Sequence, residues 1–119
     1  MKRNTLCFGF MTVVCGSILA TGWAADVPKG QTLYATKCAM CHAKDLKGNP
    51  AMAKVLKVDA VKLNLASKET QAKTDAELIA TTTKGDGKMP AQEKKLTADE
   101  IANIIAYVHS AGGAGEKAK

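Results

Sequence analysis

Aromatic side chains make up only 4% of this 119-residue sequence, and three of the five, Phe8, Phe10 and Trp23, fall within the first 24 residues. Past that point only Tyr34 and Tyr107 remain. A chain this small buries a modest share of its surface and is marginal on its own. With so few large side chains its apolar core is thin, and a metal or a large apolar cofactor is expected to fill the middle. No internal repeat or low-complexity linker breaks the chain, and its length allows one domain and not two. The positive charge is mild, and no basic motif is interleaved with aromatics, which argues against nucleic acid.

The first 24 residues read as a signal peptide. Met1-Lys2-Arg3 is a positive start, Leu6 to Ala20 an apolar stretch, and Gly22-Trp23-Ala24 puts small residues at −3 and −1, so cleavage is expected after Ala24. The apolar run is short for a membrane span of about 20 residues. Lipoprotein processing at Cys15 would need a small residue before it, where Val14 stands. Without residues 1–24 the chain has 95 residues, with 15 cationic side chains against 11 acidic ones, a net charge of +4. An exported protein, periplasmic in a bacterium and not inserted in a membrane after cleavage, is the expectation.

Of the four cysteines, Cys7 and Cys15 leave with the leader. The other two form Cys38-Ala39-Met40-Cys41-His42, the only Cys-x-x-Cys-His in the chain. This spacing is a haem-attachment signature. Three residues apart on a helical turn, both thiols face one side. They can add to two neighbouring vinyl groups, while the imidazole of His42 reaches the iron of the same macrocycle. A disulfide suits an oxidising compartment but leaves the adjacent histidine unexplained. A structural zinc needs four ligands, and outside the motif only His109 remains. A redox dithiol expects alternating strands and helices, and none are visible.

Residues 28–41 read as a helix opened by Pro28, followed by a loop over 43–51 broken at Gly48-Asn49-Pro50. Residues 51–66 read as a short helix and then a packed loop. Thr74-Asp75-Ala76-Glu77 has capping-box spacing and starts a third helix that gives out at Lys84-Gly85-Asp86-Gly87. Thr97-Ala98-Asp99-Glu100 is a second box, with Leu96 and Ile101 as a hydrophobic staple. Ile101, Ile104, Ile105 and Val108 then share one helical face. Gly112-Gly113 is expected to end that helix, leaving 113–119 as a flexible charged tail on a domain spanning 25–119.

From Gly30 and Tyr34, through Cys38 to His42 and Gly87-Lys88-Met89-Pro90, to Tyr107, the chain resembles the small monohaem class I cytochromes c over about residues 27–111. The resemblance implies an all-α fold of about four short helices around one haem c, its iron held by His42 and Met89. It implies single-electron transfer and no bond-making chemistry, hence not an enzyme. A thioether ligand raises the potential relative to a second nitrogen. Met52 and His109 are the rival ligands. The resemblance also implies that a proline carbonyl after the motif accepts the N–H of the axial histidine, and Pro50 is the proline in that loop. Gly30 and Tyr34 are expected to meet the last helix near Tyr107. The chain departs from better-known members in lacking a tryptophan and a convincing arginine for the haem propionates, which leaves backbone amides and lysines as donors.

Lys44, Lys47, Lys84, Lys88 and Lys94 flank the two haem-contacting segments. A positive rim of this kind steers redox partners with acidic docking surfaces. A free monomer is expected. Two further readings stay open: an electron-entry subunit of a larger dehydrogenase or oxidase, and a haem sensor or enzyme with an open iron site.

Overall fold

A computed structural model describes residues 24–117, with side chains described as far as Gly113. The expected leader, residues 1–24, lies outside the described residues except for Ala24. Six α-helices and one 3₁₀ turn follow one another, with no β-strand among the described residues. They are α1 (Val27–Lys37), α2 (Ala39–His42), α3 (Pro50–Leu56), the 3₁₀ turn (Ala60–Leu63), α4 (Lys68–Gln71), α5 (Asp75–Lys84) and α6 (Ala98–Lys117).

Every helix but α2 begins where a side chain can occupy its free N–H groups. Asp26 accepts from Lys29 N at 3.0 Å ahead of α1. Asn49 accepts from Ala51 N at 3.0 Å ahead of α3. The two capping boxes are both formed: Thr74 with Glu77 on α5, and Thr97 with Glu100 on α6, where the two bonds measure 2.9 and 3.2 Å. The helix expected over 28–41 is divided at Cys38, whose φ of −118° departs from helical values. It resumes as a single turn that Ala43, at φ 60°, brings to a stop. The alternating Val61, Leu63 and Leu65 belong to no strand: the first two sit in the 3₁₀ turn, and Leu63 alone of them is buried. The four-residue helix α4 is too short to leave a period in the sequence.

The core is one cluster of Tyr34, Leu46, Leu78, Leu96, Ile101, Ile104, Ile105 and Val108. Burying each of these aliphatic side chains is worth roughly 1.5–3 kcal/mol. Four of the eight come from the α6 face legible in the sequence. Helices α1 and α6 cross at Gly30, where a β-carbon would run into the carbonyl of Asn103. One turn on, the rings of Tyr34 and Tyr107 meet with centroids 5.3 Å apart and planes inclined by 55°. The expected meeting of Gly30 and Tyr34 with the last helix is therefore found.

One boundary differs from expectation. Helix α6 runs through Gly112 and Gly113 to Lys117. Gly112 is a packing position. Gln71 reaches across to donate to Leu65 O at 2.7 Å and to Val108 O at 3.2 Å. A β-carbon at Gly112 would collide with the Gln71 amide.

Candidate functional site

Between α1–α2 on one side and α5–α6 on the other lies an open cleft. Its walls are largely apolar. Ile104, Ile105 and Val108 come from α6, Leu78 from α5, and Leu65 from the segment after the 3₁₀ turn. Three chemically distinct side chains reach the same space: the thiol of Cys38, the imidazole of His42 and the thioether of Met89. They lie up to 51 positions apart in sequence.

The attachment segment is held by backbone bonds. Cys41 N and His42 N both donate to Cys38 O, at 3.2 and 3.0 Å. The Tyr34 hydroxyl donates to Ala43 O at 2.7 Å, tying α1 to the residue after His42. Burial holds the Tyr34 hydroxyl protonated well above its usual range, with the nearby Cys38 adding to the effect. Cys38 and Cys41 are both free thiols of intermediate exposure. Burial, and then the neighbouring Cys41, push the Cys38 thiol up to about 11.

His42 Nδ1 lies 2.9 Å from Leu63 O. Burial lowers the His42 pKa, and this carbonyl opposes the shift only in part. The ring is therefore neutral at pH 7, with its proton on Nδ1 donated to Leu63 and the Nε2 lone pair left for a metal. The expected acceptor, Pro50, does not take this place. It is the first residue of α3, stacked behind the Asn49 cap, and a carbonyl at a helix start points along the helix axis to its own successors. The 3₁₀ turn brings up Leu63 instead.

Met89 is delivered by a tight turn. Asp86 N donates to Met89 O at 3.0 Å, and Met89 N to Asp86 O at 2.9 Å. Gly85 and Gly87 hold φ values of 79° and 55°. A β-carbon at Gly85 would come within 2.7 Å of Met89 O. The segment then folds back along α5, with Gln92 N donating to Thr82 O at 3.1 Å and Glu93 N to Thr83 O at 3.3 Å. Neither rival ligand is among the cleft-lining residues. Met52 sits half-buried on α3. His109 points away on α6, its Nε2 3.1 Å from Asp75 Oδ1 at ion-pair distance but without hydrogen-bond geometry.

The residues present fit a haem c. A largely apolar slot is lined by one thiol of an attachment pair, a neutral imidazole with a free Nε2 and a soft thioether. When bound, the haem supplies an iron(II)/iron(III) couple. Cys38 and Cys41 would hold it through thioether bonds, and His42 would ligate the iron from one wall of the cleft. Among the described residues no cluster of three or more His, Cys, Asp or Glu side chains could hold a bare metal ion instead.

Two functional features escape sequence reasoning. The Leu63 carbonyl is a backbone group, and no side-chain pattern marks it. The Tyr34–Ala43 bond is visible only once α1 and α2 are placed. The five rim lysines, Lys44, Lys47, Lys84, Lys88 and Lys94, are all exposed, as expected.

Comparison with known proteins agrees with this geometry. Residues 25–108 match the family profile described as cytochrome C oxidase, cbb3-type, subunit III. Cytochrome c6 of Picosynechococcus sp. is 39% identical over 101 residues, covering 80% of this chain and 84% of that protein. Cytochrome c6 of Rippkaea orientalis is 35% identical over 112 residues, covering 91% and 92%. The cbb3-type cytochrome c oxidase subunit FixP of Bradyrhizobium sp. is 34% identical over 96 residues, but the match spans 31% of that longer protein. An all-α chain that closes an apolar cleft around a Cys-x-x-Cys-His segment, and is similar along most of its length to proteins of that one kind, belongs to the small monohaem class I c-type cytochromes, single-electron carriers with a covalently held haem c.

Proposed function

We propose that this chain is an exported, monomeric electron carrier in which His42 Nε2 and Met89 Sδ would both ligate the haem iron, and that it works without making or breaking substrate bonds. One observation carries the reading: Cys38, His42 and Met89, separated in sequence, line the same apolar cleft. The chain's own residues divide the work. Cys38 and Cys41 fix the haem. Leu63 O orients His42 and raises its basicity. Met89 supplies a soft ligand that favours the ferrous state. The apolar walls from α5 and α6 keep water from the iron and lower the reorganisation that electron transfer demands. Partners with acidic surfaces suit the net charge of +4 on residues 25–119.

The family profile carries an oxidase-subunit description, which favours a second reading, the electron-entry subunit of a larger complex. The free-carrier reading has the better support. Both cytochrome c6 relatives are matched over most of their length, whereas the oxidase subunit is matched over less than a third. No helix among the described residues is long and apolar enough to cross a membrane.

The test is a potentiometric titration of the protein purified from the periplasmic fraction, with its mass. One reversible one-electron wave, covalent haem and elution as a free monomer are expected. Rapid CO binding without displacement of a sulfur ligand would overturn the axial assignment, and stable co-purification with membrane oxidase would favour the subunit.

A further inference from the structure

Two polar side chains are buried among the described residues, Asn103 and Thr82. Asn103 is engaged: its Oδ1 accepts from Asp26 N at 2.8 Å. Thr82 is 7% exposed, and its hydroxyl has no partner among the described residues. The other threonines there all use theirs. Thr32, Thr36, Thr81 and Thr83 each donate to the carbonyl four residues back, at 3.3, 3.3, 3.0 and 2.7 Å. Thr70 donates to Asn64 O at 3.4 Å, and Thr74 and Thr97 cap α5 and α6. Thr82 lies inside α5 between two threonines that bond back. It has the same recourse in Leu78 O, four residues earlier, and does not take it.

A buried hydroxyl without a partner is destabilising, and a threonine inside a helix ordinarily escapes that by bonding back. A donor held open against both pressures points to an acceptor that arrives with whatever fills the space it faces. Thr82 faces the cleft. The other polar groups that line the cleft are taken. Tyr34 donates to Ala43 O, Thr70 to Asn64 O and Thr81 to Glu77 O, while His42 holds Leu63 O on Nδ1 and keeps Nε2 for iron. Cys38 is on the opposite wall, and its sulfur goes to attachment. Met89 Sδ remains. A thioether sulfur is an acceptor with two lone pairs, and ligation uses one of them. The backbone already joins the two residues: Gln92 N, three residues past Met89, donates to Thr82 O at 3.1 Å. A haem propionate is the poorer partner. Leu78, Ile104 and Ile105 make the same wall apolar, and an ionised carboxylate there would be stripped of water.

Resting on the reading of Met89 as an iron ligand, we propose that Thr82 is a positioning residue for that ligand: its hydroxyl donates to Met89 Sδ on the lone pair that iron leaves free. The bond reserves one lone pair, so the sulfur presents the other to the metal. It also draws electron density off the sulfur. A weaker donor favours the ferrous state, so the bond raises the potential.

The test is spectroelectrochemistry of the purified holoprotein. Thr82→Val removes the hydroxyl and keeps the branched shape. It should lower the reduced-to-oxidised ratio at a fixed potential about threefold, which is about 30 mV at about 59 mV per tenfold for one electron. The sulfur-to-iron band should shift and be retained. Thr82→Ser keeps the donor and should restore most of the ratio. In Met89→Ala saturated with 1-methylimidazole, whose one free nitrogen lone pair goes to iron, Thr82→Val should leave the ratio unchanged. An unmoved potential in Thr82→Val would overturn the proposal, as would a Thr82→Ser protein no different from Thr82→Val. The same shift in the 1-methylimidazole background would overturn it too, and would put the acceptor on the haem itself. Failure of the underlying reading shows separately, as a sulfur-to-iron band that survives in Met89→Ala.

Discussion

His42 Nδ1 lies 2.9 Å from the carbonyl oxygen of Leu63, 21 residues further along the chain. This contact fixes the tautomer of the ring and joins the attachment segment to the 3₁₀ turn, whose Leu63 side chain is itself buried. Leu63→Ala leaves the carbonyl in the chain but removes the side chain that seats it. The expected cost is about 2–3 kcal/mol of stability, at the lower end for leucine truncations because the site is at the edge of the core. A looser hydrogen bond makes the imidazole a weaker donor to iron, so the midpoint potential should rise. Thermal denaturation and potentiometry of the same variant check both halves. A destabilised protein with an unchanged potential would limit Leu63 to packing.

Met89→Ala should lower the potential by a sizeable part of the roughly 0.8 V over which axial ligands set haem potentials. Haem should remain attached, because Cys38 and Cys41 are untouched. The sulfur-to-iron charge-transfer band should vanish, and ferrous protein should take up CO. Retention of that band in Met89→Ala, with loss in Met52→Ala, would move the ligand to α3.

Gly30→Ala forces a β-carbon onto the Asn103 carbonyl, a backbone atom that cannot move aside without shifting α6. Overpacking of this kind costs about 1–3 kcal/mol, a fall of roughly 5–20 °C in melting temperature for a domain of this size. At Gly87 nothing lies within 4 Å of the added carbon. Gly87→Ala therefore meets only the strain of φ 55° and Gly87→Asn should restore most of the loss, since Asn tolerates that region. Melting curves of the three variants separate crowding from strain.

Acid should loosen the start of α5. Glu77 accepts from Thr74 N at 2.8 Å and from Thr74 Oγ1 at 3.0 Å. These bonds, the backbone one first, hold its carboxyl below the ordinary 4.5. A depressed carboxyl pKa stabilises the fold above the unfolded value, and the contribution disappears as pH falls through the folded value. Amide protection at Ala76, Glu77 and Leu78 should therefore drop as the solution is taken below pH 4.5, and Glu77→Gln should flatten that dependence. Protection that stays level in the native chain would show that the box adds nothing at this helix end.

The sequence by itself determined the chemistry and much of the helical framework. Cys38, Cys41 and His42 are consecutive enough to act as one unit whatever surrounds them. The two capping boxes and the Ile101–Val108 face are local patterns that local physics enforces, and they appear where the spacing put them. Tertiary structure decided what depends on chain segments far apart. It chose Leu63 over Pro50 as the acceptor for His42, because the choice turns on which backbone carbonyl the fold carries to the ring, and a carbonyl has no residue-type signature. It made Gly112 a contact for Gln71 rather than a helix stop, because a glycine missing its β-carbon reads the same in either role until the neighbour is in place. It also brought Met89 to the cleft that holds Cys38 and His42, through the Gly85–Gly87 turn and the bonds that fold residues 92–93 back onto α5. Residues near in sequence settle their geometry among themselves, whereas residues far apart wait on the crossing of α1 and α6.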